Sequence, residues 1–135
     1  MTIDREGLVA AARAQVGVYQ LSKASLRAGE VGAALVSASG ALYTGINLDL
    51  ACGIGFCAEH SAVAEMLKAR ETTVARIVAV NDRRIVAPCG RCREMLVQVD
   101  LRNLECEVLL PDGASALLKD LLPSAWLEHL LVDRP

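Results

Sequence analysis

The chain predicts an α/β fold, a three-layer α/β/α sandwich built on a mixed sheet of about five strands. Three observations lead there. Segments with helical apolar spacing alternate along the chain with short β-compatible runs. Two cysteine-bearing segments both stand where a loop enters a helix. A length of 135 residues with 53% hydrophobic content is enough to fill one core. No linker, repeat or low-complexity tract interrupts the sequence, so a single domain over residues 1-135 is expected.

The elements follow in order. From Asp4 to Leu21, the residues Leu8, Val9, Ala12, Val16 and Tyr19 recur at helical intervals behind Asp4, a suitable N-cap. "EVGAALVSASGALYTGINL" holds two β-compatible runs, Val31 to Val36 and Ala41 to Ile46, on either side of Ser-Ala-Ser-Gly, which predicts a hairpin. After the glycine-rich "ACGIGF", Cys57 to Arg70 returns to helical spacing through Ala58, Val63, Met66 and Leu67, and ends on basic residues that suit the negative end of a helix. "ARIVAVND" reads as a strand closed by the turn formers Asn81 and Asp82. Pro88 then precedes a helix from about Cys89 to Val99, and "CEVLLPDG" is a strand running into a turn. Two short helical segments, Ala114 to Leu122 and Ser124 to Leu131, complete the chain.

Composition narrows the function classes. A net charge of −2 argues against nucleic acid as a partner, because phosphate backbones are bound by clustered Lys and Arg. Asp4, Arg5 and Glu6 stand where a secretory signal would carry a basic run and then an apolar one, and no segment approaches the roughly 18 apolar residues of a membrane span. A cytoplasmic protein with no membrane partner is expected. Five cysteines in that setting point to thiols or metal ligands rather than a disulfide framework.

Spacing selects among those cysteines. Cys57 opens one helix, and Cys89 and Cys92 share the first turn of another. A helix N-terminus carries about half a positive charge and free N–H groups, which favour thiolate over thiol. Three sulfurs so placed suit a Zn²⁺ ion with its fourth tetrahedral position open, the mark of a catalytic zinc. His60 is the nearest residue to fill that position, although it could equally face away. Glu59, two residues past a ligand, can reach a metal-bound water and accept its proton. Taken alone, Cys-Ala-Glu is a weak signal, and Pro-Cys-x-x-Cys suits a redox dithiol or half of a structural zinc site as well. A thiol-disulfide oxidoreductase gives Cys57 and Glu59 no role, however, and a structural module needs a fourth ligand.

"CAE" followed about thirty residues later by "PCGRC" resembles the zinc nucleoside deaminase signature, in its cysteine-first form that of the cytidine deaminase family. "VGAAL" at Val31 to Leu35, "GIN" at Gly45 to Asn47 and "PCGRCREML" extend the resemblance over roughly Val31 to Trp126, and "CGRCR" is also similar to blasticidin S deaminase. The resemblance implies one zinc per chain on Cys57, Cys89 and Cys92, with Glu59 as proton shuttle. It implies hydrolysis of the cytosine of a small nucleoside (cytidine, deoxycytidine or an analogue) to uracil and ammonia, as in pyrimidine salvage. The alternatives are another amino-substituted heterocycle or an aminoacyl cytosine nucleoside.

The resemblance also implies site residues and an assembly. Asn47 and Asp49 stand where the family's Asn-x-Glu holds the ribose, Asp49 being one methylene shorter. Ala58 and Pro88 would face the base through their backbones. The family's stacking aromatic is missing, with Gly29 in its approximate place, which leaves Phe56 and Trp126 to replace it. His60 stands where relatives with three cysteines often carry an arginine against the sulfurs, and Arg91 and Arg93 are the other candidates to offset the thiolate charge. Family members of this size are typically homotetramers that share active sites, and a positive mean hydropathy of +0.36 agrees with buried interfaces. Cys106 reads as core, Cys52 as a loop thiol and His129 as surface.

Overall fold

The computed structural model describes residues 3–132, with side chains through residue 129. Seven strands form one mixed sheet: β1 (Tyr19–Gln20), β2 (Arg27–Ser37), β3 (Leu42–Asp49), β4 (Val74–Val80), β5 (Ile85–Val86), β6 (Glu107–Leu109) and β7 (Ser115–Leu117). Five of them form the run β3-β2-β4-β6-β7, and the short β1 and β5 extend β2 and β4. All pairings are antiparallel except β4 with β6, which are linked by a helical crossover. The sandwich expected from sequence is therefore present, with two more strands than the five anticipated.

Strands β2 and β4 read as nearly continuous apolar runs because both of their faces are covered. Ala33, Leu35, Ile77, Ala79 and Val108 face one layer, formed by α2 (Ala58–Lys68), α3 (Gly90–Val99) and α4 (Leu118–Leu121). Ala34, Val36, Val78, Val80 and Leu109, one residue out of phase, face α1 (Arg5–Arg13) on the other side. Leu35, Ile77 and Met66 are almost fully buried, and truncating any of them to Ala costs about 2–5 kcal/mol. Gly45 of β3 explains how closely α2 approaches: a Cβ there would lie 2.4 Å from the Ala62 nitrogen.

The hairpin expected over residues 31–46 forms, with Gly40 in the left-handed region at its turn (φ 91°). Two expectations are corrected, and one element was not anticipated. The helix anticipated to Leu21 stops at Arg13, capped at its start by Asp4, which accepts from the Gly7 N–H at 2.8 Å. Beyond it Gly17 and two valines favour extended chain, and Tyr19 pairs with Ala28. The segment anticipated as helix from Ala114 begins as β7, because its backbone pairs with β6, and turns helical only at Leu118. A 3-10 turn at Leu101–Glu105, unforeseen, carries the chain from α3 into β6. α5 (Leu127–Val132) overlaps the last expected helix, starting three residues later and ending one residue beyond it.

Polar side chains fasten the layer that carries α3. Asn103, fully buried, accepts from the Val74 N–H at 2.7 Å and donates to the Leu96 and Thr72 carbonyls at 2.9 and 3.1 Å. Asp100 accepts from the Thr72 and Thr73 hydroxyls at 2.7 and 3.0 Å and pairs with Arg102. These bonds join the end of α3 to the start of β4.

Candidate active site

Two helix starts meet beneath one cleft. Cys57 is the N-cap of α2 and Cys89 the N-cap of α3, both in extended backbone, and Cys92 lies one turn into α3. Their sulfurs converge: Cys57 Sγ is 3.6 Å from Cys89 Sγ, Cys89 Sγ is 3.5 Å from Cys92 Sγ, and all three lie within 4.8 Å of one another. Metal–sulfur bonds of about 2.3 Å at tetrahedral angles need sulfurs about 3.8 Å apart, so the group fits a Zn²⁺ ion. Among the described residues no fourth ligand joins it. That leaves one tetrahedral position to a water, and argues against a closed structural module.

The electrostatics separate the three thiols. Burial pushes the Cys89 thiol up, but the N–H groups of Cys92 and Arg91 at the start of α3, together with the neighbouring thiols, outweigh it and the net direction is down. Burial dominates at Cys57 and, far more strongly, at Cys92, and both are raised. A divalent cation would reverse that order by favouring all three thiolates.

Glu59 lies on the first turn of α2 and is only 5% exposed. Burial raises its carboxyl above the ordinary range, against the opposing pull of its own N–H and of the Cys92 thiol beside it. A carboxyl poised upward next to a metal group suits a residue that must both take and return a proton.

Above these residues opens a cleft of about 470 Å³. Cys57, Ala58, Glu59 and Cys89 form its floor, and Asn47, Asp49, Phe56 and Arg91 its walls. Phe56 is set against the end of β3 by two backbone bonds with Leu48, of 2.9 and 3.0 Å. The Asn47 Oδ1 accepts from the Val31 N–H at 2.9 Å, across the irregularity in β2 between Ala28 and Gly32. Asp49 pairs with Arg27 at 3.3 Å.

The candidates to offset the thiolate charge sort themselves by contact. His60 Nδ1 lies 3.6 Å from Cys92 Sγ, and burial first, then the charge of Arg91, lowers its pKa. Arg91 lines the cleft and donates to the Gly55 carbonyl at 3.2 Å. Arg93 is turned elsewhere, donating to the Pro88 and Leu121 carbonyls at 2.9 and 3.0 Å. Pro88 lines a small void beside Glu59 instead of the cleft. Trp126 does not reach the cleft within one chain: it is 56% exposed, its backbone N–H donating to the Glu94 carboxylate and its ring near His129, itself exposed as expected. Cys52 is an exposed loop thiol; Cys106 is buried, which pushes its thiol up to about 12.

Gly29 explains the missing aromatic. Its φ is +83°, and a Cβ there would lie 2.4 Å from the Gly17 carbonyl oxygen, so no side chain fits. The residue that sequence reasoning passed over is Glu30, which also lines the cleft. Its signal was a charge at the entrance of the otherwise apolar run "EVGAALV".

A three-layer α/β/α fold that brings three cysteine sulfurs together at and just beneath the floor of one cleft, beside a buried glutamate, defines the zinc hydrolase class of site. Comparison with known proteins makes this specific. Residues 10–107 match the family model for the cytidine and deoxycytidylate deaminase zinc-binding region, and the chain belongs to that family. It is 30% identical over 113 residues to the cytidine deaminase of Halalkalibacterium halodurans, covering 77% of this chain and 82% of that one. A probable cytidine deaminase of Dictyostelium discoideum is 28% identical over 109 residues, 77% of this chain and 73% of that one. Among solved structures, the cytidine deaminase of Mycobacterium tuberculosis superposes with a TM-score of 0.77 at 27% identity, covering 92% and 98% of the two chains. That of Burkholderia pseudomallei gives 0.74 at 30%, covering 91% and 99%. No helix among the described residues is long and apolar enough to cross a membrane.

Proposed function

We propose that this chain, as one domain, is a zinc-dependent cytidine deaminase that hydrolyses the cytosine amino group of a nucleoside to give uracil and ammonia. One observation carries the reading: a buried glutamate beside three converging sulfurs at the floor of a cleft sized for a nucleoside. Cys57, Cys89 and Cys92 would hold the metal, one per chain, and a zinc ion there would supply Lewis acidity that makes hydroxide available near neutral pH.

Glu59 does the proton work. Its carboxylate takes a proton from the attacking water and passes it to N3 of the ring as the hydroxide adds to C4; it then takes the proton of the new C4 hydroxyl and gives it to the exocyclic amine, so that the C4–N bond breaks, ammonia leaves and the C4 carbonyl of uracil forms. A carboxyl held above its ordinary range by burial gives up that proton less readily to solvent, which keeps it available to the ring. The Ala58 backbone, fully buried beside Glu59, borders the base.

Asn47 and Asp49 hold the sugar end, and Phe56, immediately before Cys57, supplies the aromatic contact that Gly29 cannot. Trp126, exposed on its own chain, completes the cleft of a neighbouring copy in a homotetramer. His60 takes the part of an arginine against the sulfurs, its Nδ1 3.6 Å from Cys92 Sγ, while Arg93 is occupied elsewhere. The setting is cytoplasmic pyrimidine salvage. The test is ammonia release from cytidine, deoxycytidine and free cytosine by the zinc-loaded protein. Turnover of the two nucleosides well above the free base is expected; turnover of none of the three, with zinc bound, rejects the reading.

A further inference from the structure

The rim of the cleft carries more negative charge than the sugar-binding pair Asn47 and Asp49 requires. Glu30 lines the cleft from β2, and its Oε1 is inaccessible to solvent yet has no hydrogen-bond partner. Arg27 Nε lies 3.3 Å from that oxygen without the alignment of a hydrogen bond, and the same guanidinium reaches Asp49 Oδ2 at 3.3 Å. One cation is therefore shared by two carboxylates. On its far side Glu30 borders a second cavity, of about 530 Å³, whose lining adds Asp82 and no basic residue. A buried acceptor that is ion-paired but not hydrogen-bonded keeps part of its desolvation cost, and a ligand donor that bonds to it recovers that part only when bound.

Given the deaminase reading above, we infer that Glu30 is a specificity-determining residue: its carboxylate receives a sugar hydroxyl, and its charge excludes the 5′-phosphate of a nucleotide. The family model spans both cytidine and deoxycytidylate deaminases, so a chain of this family must choose between an uncharged substrate and an anionic one. A site built for a phosphate presents Lys, Arg or a helix N-terminus to it. The side of the rim around Asn47 instead presents Glu30 and Asp49, with Arg27 paired to both, while Arg91, the arginine that lines the cleft, is bonded to the Gly55 carbonyl. A carboxylate placed against the wrong ligand discriminates by repulsion as well as by the lost bond.

The experiment measures binding of the products, uridine and uridine 5′-monophosphate, to the zinc-loaded protein by calorimetry, beside turnover of cytidine and its 5′-monophosphate. The wild-type protein binds uridine at least about tenfold more tightly than the monophosphate, and the gap narrows as salt screens the rim. Glu30→Gln narrows the gap by about tenfold or more, with zinc content and melting temperature unchanged. Should that variant fold poorly, the salt dependence of the wild-type gap decides the same question. Equal binding of the two products, a gap that salt does not alter, or an unchanged gap in folded Glu30→Gln overturns the inference. Loss of turnover with the binding gap intact would reject the deaminase reading and leave the inference about the rim standing.

Discussion

The floor of the cleft is made by two helix starts and its rim by an irregular strand, and the two ends follow different rules. At and just beneath the floor, Cys57, Glu59, Cys89 and Cys92 sit within one turn of an N-terminus, where helix geometry fixes their directions and backbone N–H groups favour the thiolate of Cys89. At the rim, Gly29, Glu30 and Val31 lie across the irregularity in β2, and their placement depends on Gly17, Arg27 and Asn47 from other parts of the chain. Chemistry needs fixed distances and is held by regular elements. Substrate choice is written where the backbone departs from regularity.

Breaking the floor should have the largest effect. Cys92→Ala removes the one fully buried sulfur of the three, and zinc content by atomic absorption is expected to fall well below one per chain with deamination at background. Asn103→Ala, distant from both ends of the cleft, orphans the Val74 N–H and two carbonyls, and should cost about 2–4 kcal/mol. Calorimetry should record that as a fall in Tm of about 3–4 °C for each kcal/mol, with kcat preserved at 20 °C. The rim can be challenged by restoring the aromatic. Gly29→Phe is expected to destabilise by about 1–3 kcal/mol, with no gain in cytidine affinity, since the left-handed backbone and the Gly17 carbonyl leave its side chain no place. Improved binding without loss of stability would show the rim to be as adaptable as an ordinary loop.

A smaller effect concerns the clasp that positions α3. The Arg102 guanidinium, aided by the Thr72 and Thr73 hydroxyls, holds the Asp100 carboxyl well below the usual carboxylate range. A carboxyl depressed in the folded state stabilises fully above its unfolded value of about 3.9, and that contribution is lost as the pH falls below it. Asp100→Asn should therefore lower stability at pH 7 by about 1 kcal/mol and flatten the loss of stability between about pH 4 and pH 2, as followed by urea unfolding.

How far the molecule could be read from its sequence follows the same division. The hairpin, α2, β4 and α3 were legible because period-2 and helical spacing are local, and the three cysteines and Glu59 because their positions relative to two helix starts are local as well. Tyr19 was misread as helix because its strand pairing with Ala28 is a tertiary fact, and β7 because its partner β6 overrides a sequence that suits a helix. Gly29 could be seen to lack an aromatic, but the reason, a carbonyl twelve residues earlier in the chain, could not be seen. His60 stood at the family's arginine position, and the sequence could not decide between it and the alternatives Arg91 and Arg93. Only the fold shows that Arg93 is committed to two carbonyls and that His60 touches a sulfur.

The central claim is that Glu59 moves protons at a zinc site it does not help to build. Glu59→Gln keeps the size and the buried place of the side chain but removes the carboxylate. Zinc content and cytidine turnover measured on the same purified preparation test the claim most directly. One zinc per chain, with kcat reduced by about 10²-fold or more, is the expected result. Full turnover with zinc retained, or loss of the metal along with the activity, would contradict it.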